Sequence, residues 1–276
     1  MIVDAHQHFW SLGAPYFDWP TPDLAAIYRD YDPADLDALI RPADVDKTIL
    51  VQVAPRTEET TVFLDLAART DFVAGVVGWV DLDGDADRET LQRFAVHPKF
   101  RGVRPMLQAI PDVDWILRPG LEPMLAEVQR LGLTFDALVK PPHLDALTTF
   151  IDRHPNLAVV VDHGAKPEIA RGREGFDVWA PKITAIAERP QVHCKLSGLL
   201  TEAGTRTGAE DLRPFVEHLV ACFEPRRLMW GSDWPVVELA APYGGWLDQA
   251  KALVARLSRD EQACILGGTA RRFYRI

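Results

Sequence analysis

Two histidines near the start of the chain, in the stretch Asp4-Ala5-His6-Gln7-His8, have a spacing that could support chemistry. Side chains two positions apart in a β-strand point the same way, so His6 and His8 are predicted to project together, with Asp4 on the same side. Imidazole and carboxylate groups gathered in this way can polarise a carbonyl, accept a proton from water or hold a divalent metal ion. A polar turn would show the same spacing, so the pair has to be interpreted together with the rest of the chain.

Polar and aromatic side chains also stand at or near the ends of seven later apolar runs. They are Gln52, Trp79, Asp81, Arg101, Arg104, Lys140, Asp162, His163, Lys195, Ser197, Asp233 and Trp234. Charges scattered over a surface would not select the ends of apolar runs so regularly. If the runs are strands that end at one edge, these residues meet at a single site, which favours function over a polar turn.

Eight short apolar runs rich in β-branched residues are predicted to be these strands. They are Ile2–His8, Lys47–Ala54, Val73–Asp81, Phe100–Leu107, Leu133–Lys140, Leu157–His163, Val192–Ser197 and Leu228–Asp233. Their nearly continuous apolar character is typical of strands covered on both faces, as in a parallel sheet.

Helical patterns fill the segments between these runs, most clearly in Thr57–Thr70 and in residues 120–132, 143–154, 177–189 and 211–223. Alternating strands and helices predict right-handed βαβ units. Eight such units predict an α/β chain folded as one (β/α)₈ TIM-like barrel, a single domain over residues 1–276. Active sites of such barrels lie at the C-terminal strand ends. The proline-rich segment Leu12–Leu24 is predicted to be a long first loop over the site.

The composition argues against several classes of function. The 276 residues are 47% hydrophobic and 25% charged, which is ordinary for a globular protein with a full core. A formal charge of −10 argues against a nucleic-acid or membrane partner. The chain shows no secretory signal pattern, no bilayer-spanning run and no metal-type spacing of its three cysteines, so a cytoplasmic protein with reduced thiols is expected. Homo-oligomerisation stays open.

Longer phrases of the chain resemble a known family. An HxH pair on the first strand with an Asp on the eighth is similar to the amidohydrolase superfamily. The phrases that resemble its amidohydrolase-2-type sugar-lactonase branch, with L-fuconolactonase-like and L-rhamnonolactonase-like hydrolases, are DAHQHFW, VVGWVDL, FRGVRPMLQ, VVVDHGAKP, CKLSGLLTEA and RLMWGSDWPV. The likeness extends from Ile2 to the terminal GGTARRFY. The ordered set is specific for the branch and less specific for any one sugar.

The resemblance implies hydrolysis of a sugar-derived lactone, such as L-fuconolactone, to its open-chain acid by an activated water. Asp233 is then expected to remove the proton of the water, and His6, His8 and His163 to polarise the carbonyl. The expected substrate-binding residues are Arg104, Lys140, Lys195, Gln52, Trp79 and Trp234. Arg101 and Arg104 need not face the same side of their strand, and the resemblance favours Arg104 as the one in the site.

The cofactor is left open between none and one divalent metal ion. Many members of the superfamily hold one or two metals on the first-strand histidines, on histidines of strands five and six, and on the eighth-strand Asp. This chain has Lys140 where a fifth-strand histidine would be expected, which argues against a two-metal site. One Zn²⁺ on His6, His8 and Asp233, with His163 as a further ligand, is chemically reasonable. Related dicarboxylate-lactone hydrolases, however, work without a metal.

Three other functions remain possible. A lactonase for muconolactones or pyrone dicarboxylates would hold substrate carboxylates with cations, for which the candidates are Arg101, Arg104, Lys140 and Lys195. A metal-dependent decarboxylase of the same superfamily would need stoichiometric metal. A sugar-binding barrel without catalysis conflicts with the intact set of His and Asp residues. A serine hydrolase is rejected, because Ser197 lacks a nucleophile-elbow glycine frame.

Overall fold

Eight parallel strands form one barrel. The computed structural model describes residues 1–276, and its strands are β1 (Ile2–Gln7), β2 (Val45–Val51), β3 (Val73–Gly78), β4 (Phe100–Val103), β5 (Thr134–Ala137), β6 (Ala158–Val161), β7 (His193–Leu196) and β8 (Leu228–Trp230). Each strand pairs in parallel with the next one along the chain. A parallel bridge between Gln7 and Trp234 joins the last strand region to the first. The predicted (β/α)₈ TIM-like barrel is therefore confirmed.

Ten α-helices lie between the strands or follow the last one. They are α1 (Pro33–Ile40), α2 (Thr57–Ala68), α3 (Arg88–Ala95), α4 (Glu122–Arg130), α5 (Leu144–Arg153), α6 (Arg173–Ala187), α7 (Ala209–Arg227), α8 (Tyr243–Leu253), α9 (Arg259–Ala263) and α10 (Thr269–Tyr274). Helices α2, α4, α5, α6 and α7 overlap the predicted ones. Helix α1 was not predicted although its start is encoded locally, since Asp32 caps the backbone N–H groups of Ala34 and Asp35. No helix is both long enough and apolar enough to cross a bilayer.

A bulge in β1 decides which side chains reach the open end of the barrel. Between the pairs Asp4–Thr48 and Gln7–Leu50, β1 contains one residue more than β2. An extra residue shifts the alternation of the strand by one position. The shift turns His6 toward the barrel interior, where its ring meets Asp162, directly after β6, and Lys195 of β7.

Asp4 lies on the other face of β1. Its carboxylate accepts hydrogen bonds from the backbone N–H of Ser232 (2.8 Å) and from the hydroxyl of Tyr243 in the outer helix α8 (3.1 Å). The prediction that Asp4 shares a side with His6 and His8 is wrong, because a sequence does not reveal a bulge. Asp4 nevertheless supports the bulge, since it also accepts from the backbone N–H of His6 (3.2 Å).

The C-terminal helix α10 closes the other end of the barrel. Phe273 and Tyr274 are buried in one apolar cluster with Val3, Ala5 and Met229 of the barrel interior. Above this layer the interior becomes polar. Because these apolar side chains fill one end of the barrel, the open end is formed by the C-terminal ends of the strands. Active sites of barrel enzymes lie at that end.

Candidate active site

A cavity of about 410 Å³ opens at the C-terminal ends of the strands. The polar side chains in its wall are His8, Asp18, Arg104, Gln108, His163, Lys166 and Asp233. Asp18 and Trp19 come from the predicted first loop, Leu12–Leu24, which therefore forms part of the wall. The loops after several different strands thus contribute to one site.

Three imidazoles converge on one carboxylate oxygen in this cavity. The Nε2 atoms of His8, His6 and His163 lie 3.3, 3.7 and 3.8 Å from Oδ1 of Asp233. The Nε2 atoms of His6 and His8 are 3.2 Å apart. The seam between β8 and β1 fixes this approach, because the backbone N–H of Asp233 donates to the carbonyl of His6 (2.8 Å). All four side chains belong to residues that are at most 4% exposed, so the structure brings the four predicted residues together away from bulk water.

The hydrogen bonds of His8 assign its protons. Its Nδ1 lies 2.8 Å from the carbonyl oxygen of Val51, which can only accept, so Nδ1 carries the proton and Nε2 a lone pair. That lone pair faces Oδ1 of Asp233. Two buried acceptors at this distance are compatible only with a proton or a metal ion between them. The space between His8 and Asp233 is therefore a position for a cation.

Burial keeps the histidines neutral while the carboxylate stays charged. It lowers the pKa of His6 and of His8, and it lowers the pKa of His163 to about 4. Burial alone would raise the pKa of Asp233, but the imidazoles, chiefly His163, outweigh it and hold that pKa below its ordinary range. At neutral pH the cluster offers imidazole lone pairs and a carboxylate, which are donor types that suit Zn²⁺ and similar ions.

The cluster is consistent with one divalent metal ion. The donor atoms of His6, His8 and Asp233 all lie within 4.8 Å of one another, and Nε2 of His163 lies 3.8 Å from Oδ1 of Asp233. Both ring nitrogens of His6 also face a donor, since Nδ1 lies 3.0 Å from the ammonium of Lys195 and Nε2 lies 3.4 Å from Nη1 of Arg104. His6 thus directs Nε2 toward the cluster and Nδ1 toward Lys195.

Arg104 is a fixed cation in the cavity wall. Its guanidinium donates to the carbonyl of Gln52 and lies 3.4 Å from Oδ2 of Asp162. The side chain of Gln52 donates in return to the carbonyl of Arg104 (2.7 Å). Gln52 is fully buried and does not line the cavity, so it orients Arg104 from behind.

Arg101 lies in the lower part of the barrel, away from the cavity. Its stem packs against Gly75, where an added Cβ would lie 2.7 Å from Cγ of Arg101. Burial, together with the charge of Arg275, lowers its pKa. Arg275 directly follows α10 at the closed end. Of the two arginines on this strand, Arg104 is therefore the one that faces the site.

Lys195 lies beneath the cavity and not in its wall. It is completely buried, and its Nζ lies 2.7 Å from Oδ2 of Asp136, 2.9 Å from Oδ1 of Asp162 and 3.0 Å from Nδ1 of His6. These three acceptors match the three donors of an ammonium group. Lys195 thus has no free donor for a substrate, and the structure places it as a support for His6.

The remaining predicted binding residues also stand outside the cavity wall. Trp234 is fully buried and packs edge-on against Tyr31, with ring centres 5.1 Å apart. Trp79 lines a separate apolar pocket of about 230 Å³. Lys140 is exposed beyond the end of β5. Of the six side chains predicted to bind substrate, Arg104 alone lines the main cavity.

Sequence reasoning did not name three polar side chains in the wall, Asp18, Gln108 and Lys166, although Asp18 lies in the predicted first loop. The phrase DHGAKP contained a usable indication for Lys166. A Gly following His163 at a strand end predicts a tight turn, and a tight turn keeps the next residues near the same opening. Gln108 offered no comparable indication, because its position depends on how the loop after β4 folds.

Glu59 supports the cavity wall from behind and leads to a pH prediction. It lies in α2, is 1% exposed, and accepts from the backbone N–H groups of Val53 (2.8 Å) and Ala54 (3.0 Å). Burial raises its pKa to about 8, above the value of about 4.3 for an unfolded chain. The folded state therefore binds the proton more tightly, and stability falls as pH rises between these two values.

The variant Glu59→Gln lacks this titration. We expect its free energy of unfolding, minus that of the wild type, to increase when urea unfolding is repeated from about pH 5.5 to about pH 8.5. The exposed neighbour Glu58 gives a matched control, since Glu58→Gln makes the same chemical change without the burial of Glu59. A difference that stays flat for Glu59→Gln would contradict the assignment.

Comparison with known proteins gives four findings. A family model described as "Amidohydrolase" matches residues 3–276. The chain is 47% identical to L-fucono-1,5-lactonase of Burkholderia ambifaria, over 99% of this chain and 95% of that protein. It is 36% identical to L-fucono-1,5-lactonase of Burkholderia multivorans, over 99% and 96%. A crystal structure of an amidohydrolase from Burkholderia multivorans with bound Zn has a TM-score of 0.95 and 32% identity to it, covering 100% of this chain and 99% of that chain.

Proposed function

The chain belongs to the amidohydrolase family, and from this premise we propose that it hydrolyses a sugar-derived 1,5-lactone to the open-chain acid. The proposal is carried by the convergence of His6, His8 and His163 on Asp233 in a cavity of about 410 Å³. The two relatives named L-fucono-1,5-lactonase support the substrate class and make L-fucono-1,5-lactone the first candidate.

Asp233 has the properties of the general base for this reaction. Its pKa is held low, so it is ionised at neutral pH and can accept a proton. As water adds to the lactone carbonyl, Asp233 takes one of its protons. The tetrahedral intermediate then expels the ring oxygen as an alkoxide, and the proton returns from Asp233 to that oxygen. The acid is released with one water added and no other reactant.

The negative charge that develops on the carbonyl oxygen needs a positive neighbour. Neutral His8 presents a lone pair at Nε2, so it cannot donate to this oxygen without a further proton. A divalent ion, with Zn²⁺ as the first candidate, would polarise the carbonyl as a Lewis acid when bound. His6, His8 and Asp233 would hold it, with His163 as the fourth candidate. Arg104 then orients the ring from the wall.

The charges of the cavity favour a neutral sugar lactone over a dicarboxylate. Arg101, Lys140 and Lys195, three of the four cations considered for holding carboxylates, do not line the cavity. The two cations in the wall are Arg104 and Lys166, and each already faces a carboxylate of the protein. A substrate with two carboxylates would therefore lack unpaired cations to bind it.

The test is proton release by the purified enzyme on L-fucono-, L-galactono-, L-rhamnono- and D-arabinonolactones, with 2-pyrone-4,6-dicarboxylate beside them. Spontaneous opening of each lactone is subtracted as background. We expect turnover above background on one or more sugar lactones and none on the dicarboxylate. Activity confined to the dicarboxylate would overturn the proposal.

A further inference from the structure

Three polar side chains in the cavity wall have no part in the proposed reaction. They are Asp18, Gln108 and Lys166. Arg104, the other cation in the wall, already donates to the carbonyl of Gln52 and faces Asp162. Among the three, Lys166 is the one cation, and its ammonium makes no hydrogen bond within the protein. Its side chain is nevertheless only 17% exposed, so the charge is held close to the cavity and away from open water.

An unusual turn places Lys166 there. Residues 163–166 have φ values of 55°, 57°, 64° and 50°, four consecutive residues in the left-handed region, and only Gly164 is a glycine. Side chains with a Cβ rarely adopt this conformation. The turn is held by hydrogen bonds from Lys166 N–H to the carbonyl of His163 (2.8 Å) and from the indole of Trp179 to the carbonyl of Gly164 (2.7 Å). Costly conformations of this kind persist where the surrounding structure enforces them, often at functional sites.

The turn has a direct consequence for the cavity. His163 and Lys166 both line it, so the element that presents one member of the reacting cluster also presents a cation, which is paired with Glu202. A ligand that fills the cavity therefore meets both side chains.

Glu202 stands next to Lys166 as a second polar group. Oε1 of Glu202 lies 3.6 Å from Nζ of Lys166, and the two side chains are 27% and 17% exposed. This separation exceeds a direct hydrogen bond. The carboxylate has no hydrogen-bond donor elsewhere in the protein, so both groups retain capacity for a ligand. Burial raises the pKa of Glu202 against the opposing charges of Lys166 and Lys140. Glu202 does not line the main cavity itself and stands beside Lys166, which does.

We propose that Lys166 and Glu202 form a subsite for ring hydroxyl groups of the substrate. The identity of the ring rests on the proposed function, whereas the subsite itself rests on the cavity and the ion pair. A hydroxyl group accepts from the ammonium through its oxygen and donates to the carboxylate through its hydrogen. Hydrogen bonds to charged, partly buried groups are stronger than neutral ones. A lactone ring with hydroxyl groups is recognised at this position, and a bare ring is not.

The test compares ligands that differ only in hydroxyl groups. Binding of a polyhydroxylated sugar 1,5-lactam, an analogue that resists hydrolysis, is measured by calorimetry for the wild type, Lys166→Met and Glu202→Gln. We expect Lys166→Met to weaken this binding by about 10- to 100-fold, the range of a hydrogen bond to a charged group. Glu202→Gln should weaken it as well, and the double variant should lose less than the product of the two separate losses. Lys182→Met, which removes an ion pair with Asp145 on the outer helices, should bind as the wild type does.

A kinetic comparison separates recognition from other roles. For Lys166→Met, kcat/KM on the sugar lactone should fall while kcat/KM on unsubstituted δ-valerolactone stays within about 3-fold of the wild type. Equal losses on both lactones would overturn the subsite, because they indicate a role in the reaction or the fold. Unchanged lactam binding in the variant, or no lactam binding by the wild type, would overturn it too. Lactam binding that depends on Lys166 without lactone turnover would support the subsite and contradict the proposed function.

Discussion

Asp233→Asn is expected to lower kcat on the sugar lactone by roughly 10²- to 10⁴-fold, the contribution of a positioned general acid–base group. Asparagine keeps the shape of the side chain but cannot accept the proton of the attacking water. It also suits the backbone, because Asp233 has φ 59° and asparagine adopts the left-handed region more readily than most residues. The loss should therefore come from chemistry and not from misfolding. The measurement is initial-rate proton release with the substrate that the wild type turns over fastest.

Two controls keep this result interpretable. Thermal unfolding of Asp233→Asn should resemble that of the wild type, since the backbone N–H of Asp233 still donates to the carbonyl of His6 (2.8 Å). Asp145→Asn, the same chemical change on an exposed residue, should leave kcat unaltered. Turnover of Asp233→Asn within a few-fold of the wild type would remove Asp233 from the mechanism.

The barrel could be predicted because its information is local. The run Leu157–Val161 is five apolar residues between Asn156 and Asp162, and similar runs identify all eight strands. Predicted strands extended too far at their C-terminal ends. Leu228–Asp233 contains only Leu228–Trp230 as strand, because the chain leaves the sheet there to place Asp233. The residues by which a predicted strand exceeds the observed strand therefore include site residues such as Asp233.

The supporting contacts could not be predicted because they depend on register and on distant partners. The bulge that separates Asp4 from His6 exists only in the pairing of β1 with β2. The left-handed turn that brings Lys166 to the cavity is stabilised by Trp179 in another helix. The sequence predicted Lys195 as a substrate-binding residue, and it could not show that Asp136 and Asp162 pair with this lysine beneath the cavity.

Lys195→Met is expected to be the most destabilising of the substitutions considered for this protein. Methionine has a similar length without the charge, so the volume is kept. Asp136 and Asp162, both fully buried, would lose the ammonium that lies 2.7 and 2.9 Å away. Removing one partner of a buried ion pair costs about 3–5 kcal/mol, which lowers Tm by an amount on the order of 10 °C in a chain of this size. The measurement is thermal unfolding, with urea unfolding as a second readout.

The loss of stability in Lys195→Met is expected to come from the burial of its ion pairs and not from the mere presence of an ion pair. Two further variants separate these causes. Lys182 and Asp145 form a pair of the same length, 2.7 Å, on the outside of the barrel with side chains 32% and 77% exposed, and such pairs are worth about 0–1 kcal/mol. Lys182→Met should therefore leave Tm nearly unchanged. Adding Asp136→Asn to Lys195→Met removes one of the two stranded charges, and the double variant should be more stable than Lys195→Met alone. If Lys195→Met instead has the same Tm as the wild type, Lys195 does not neutralise the buried carboxylates of the barrel interior. The position of His6 would then have to be attributed to another group.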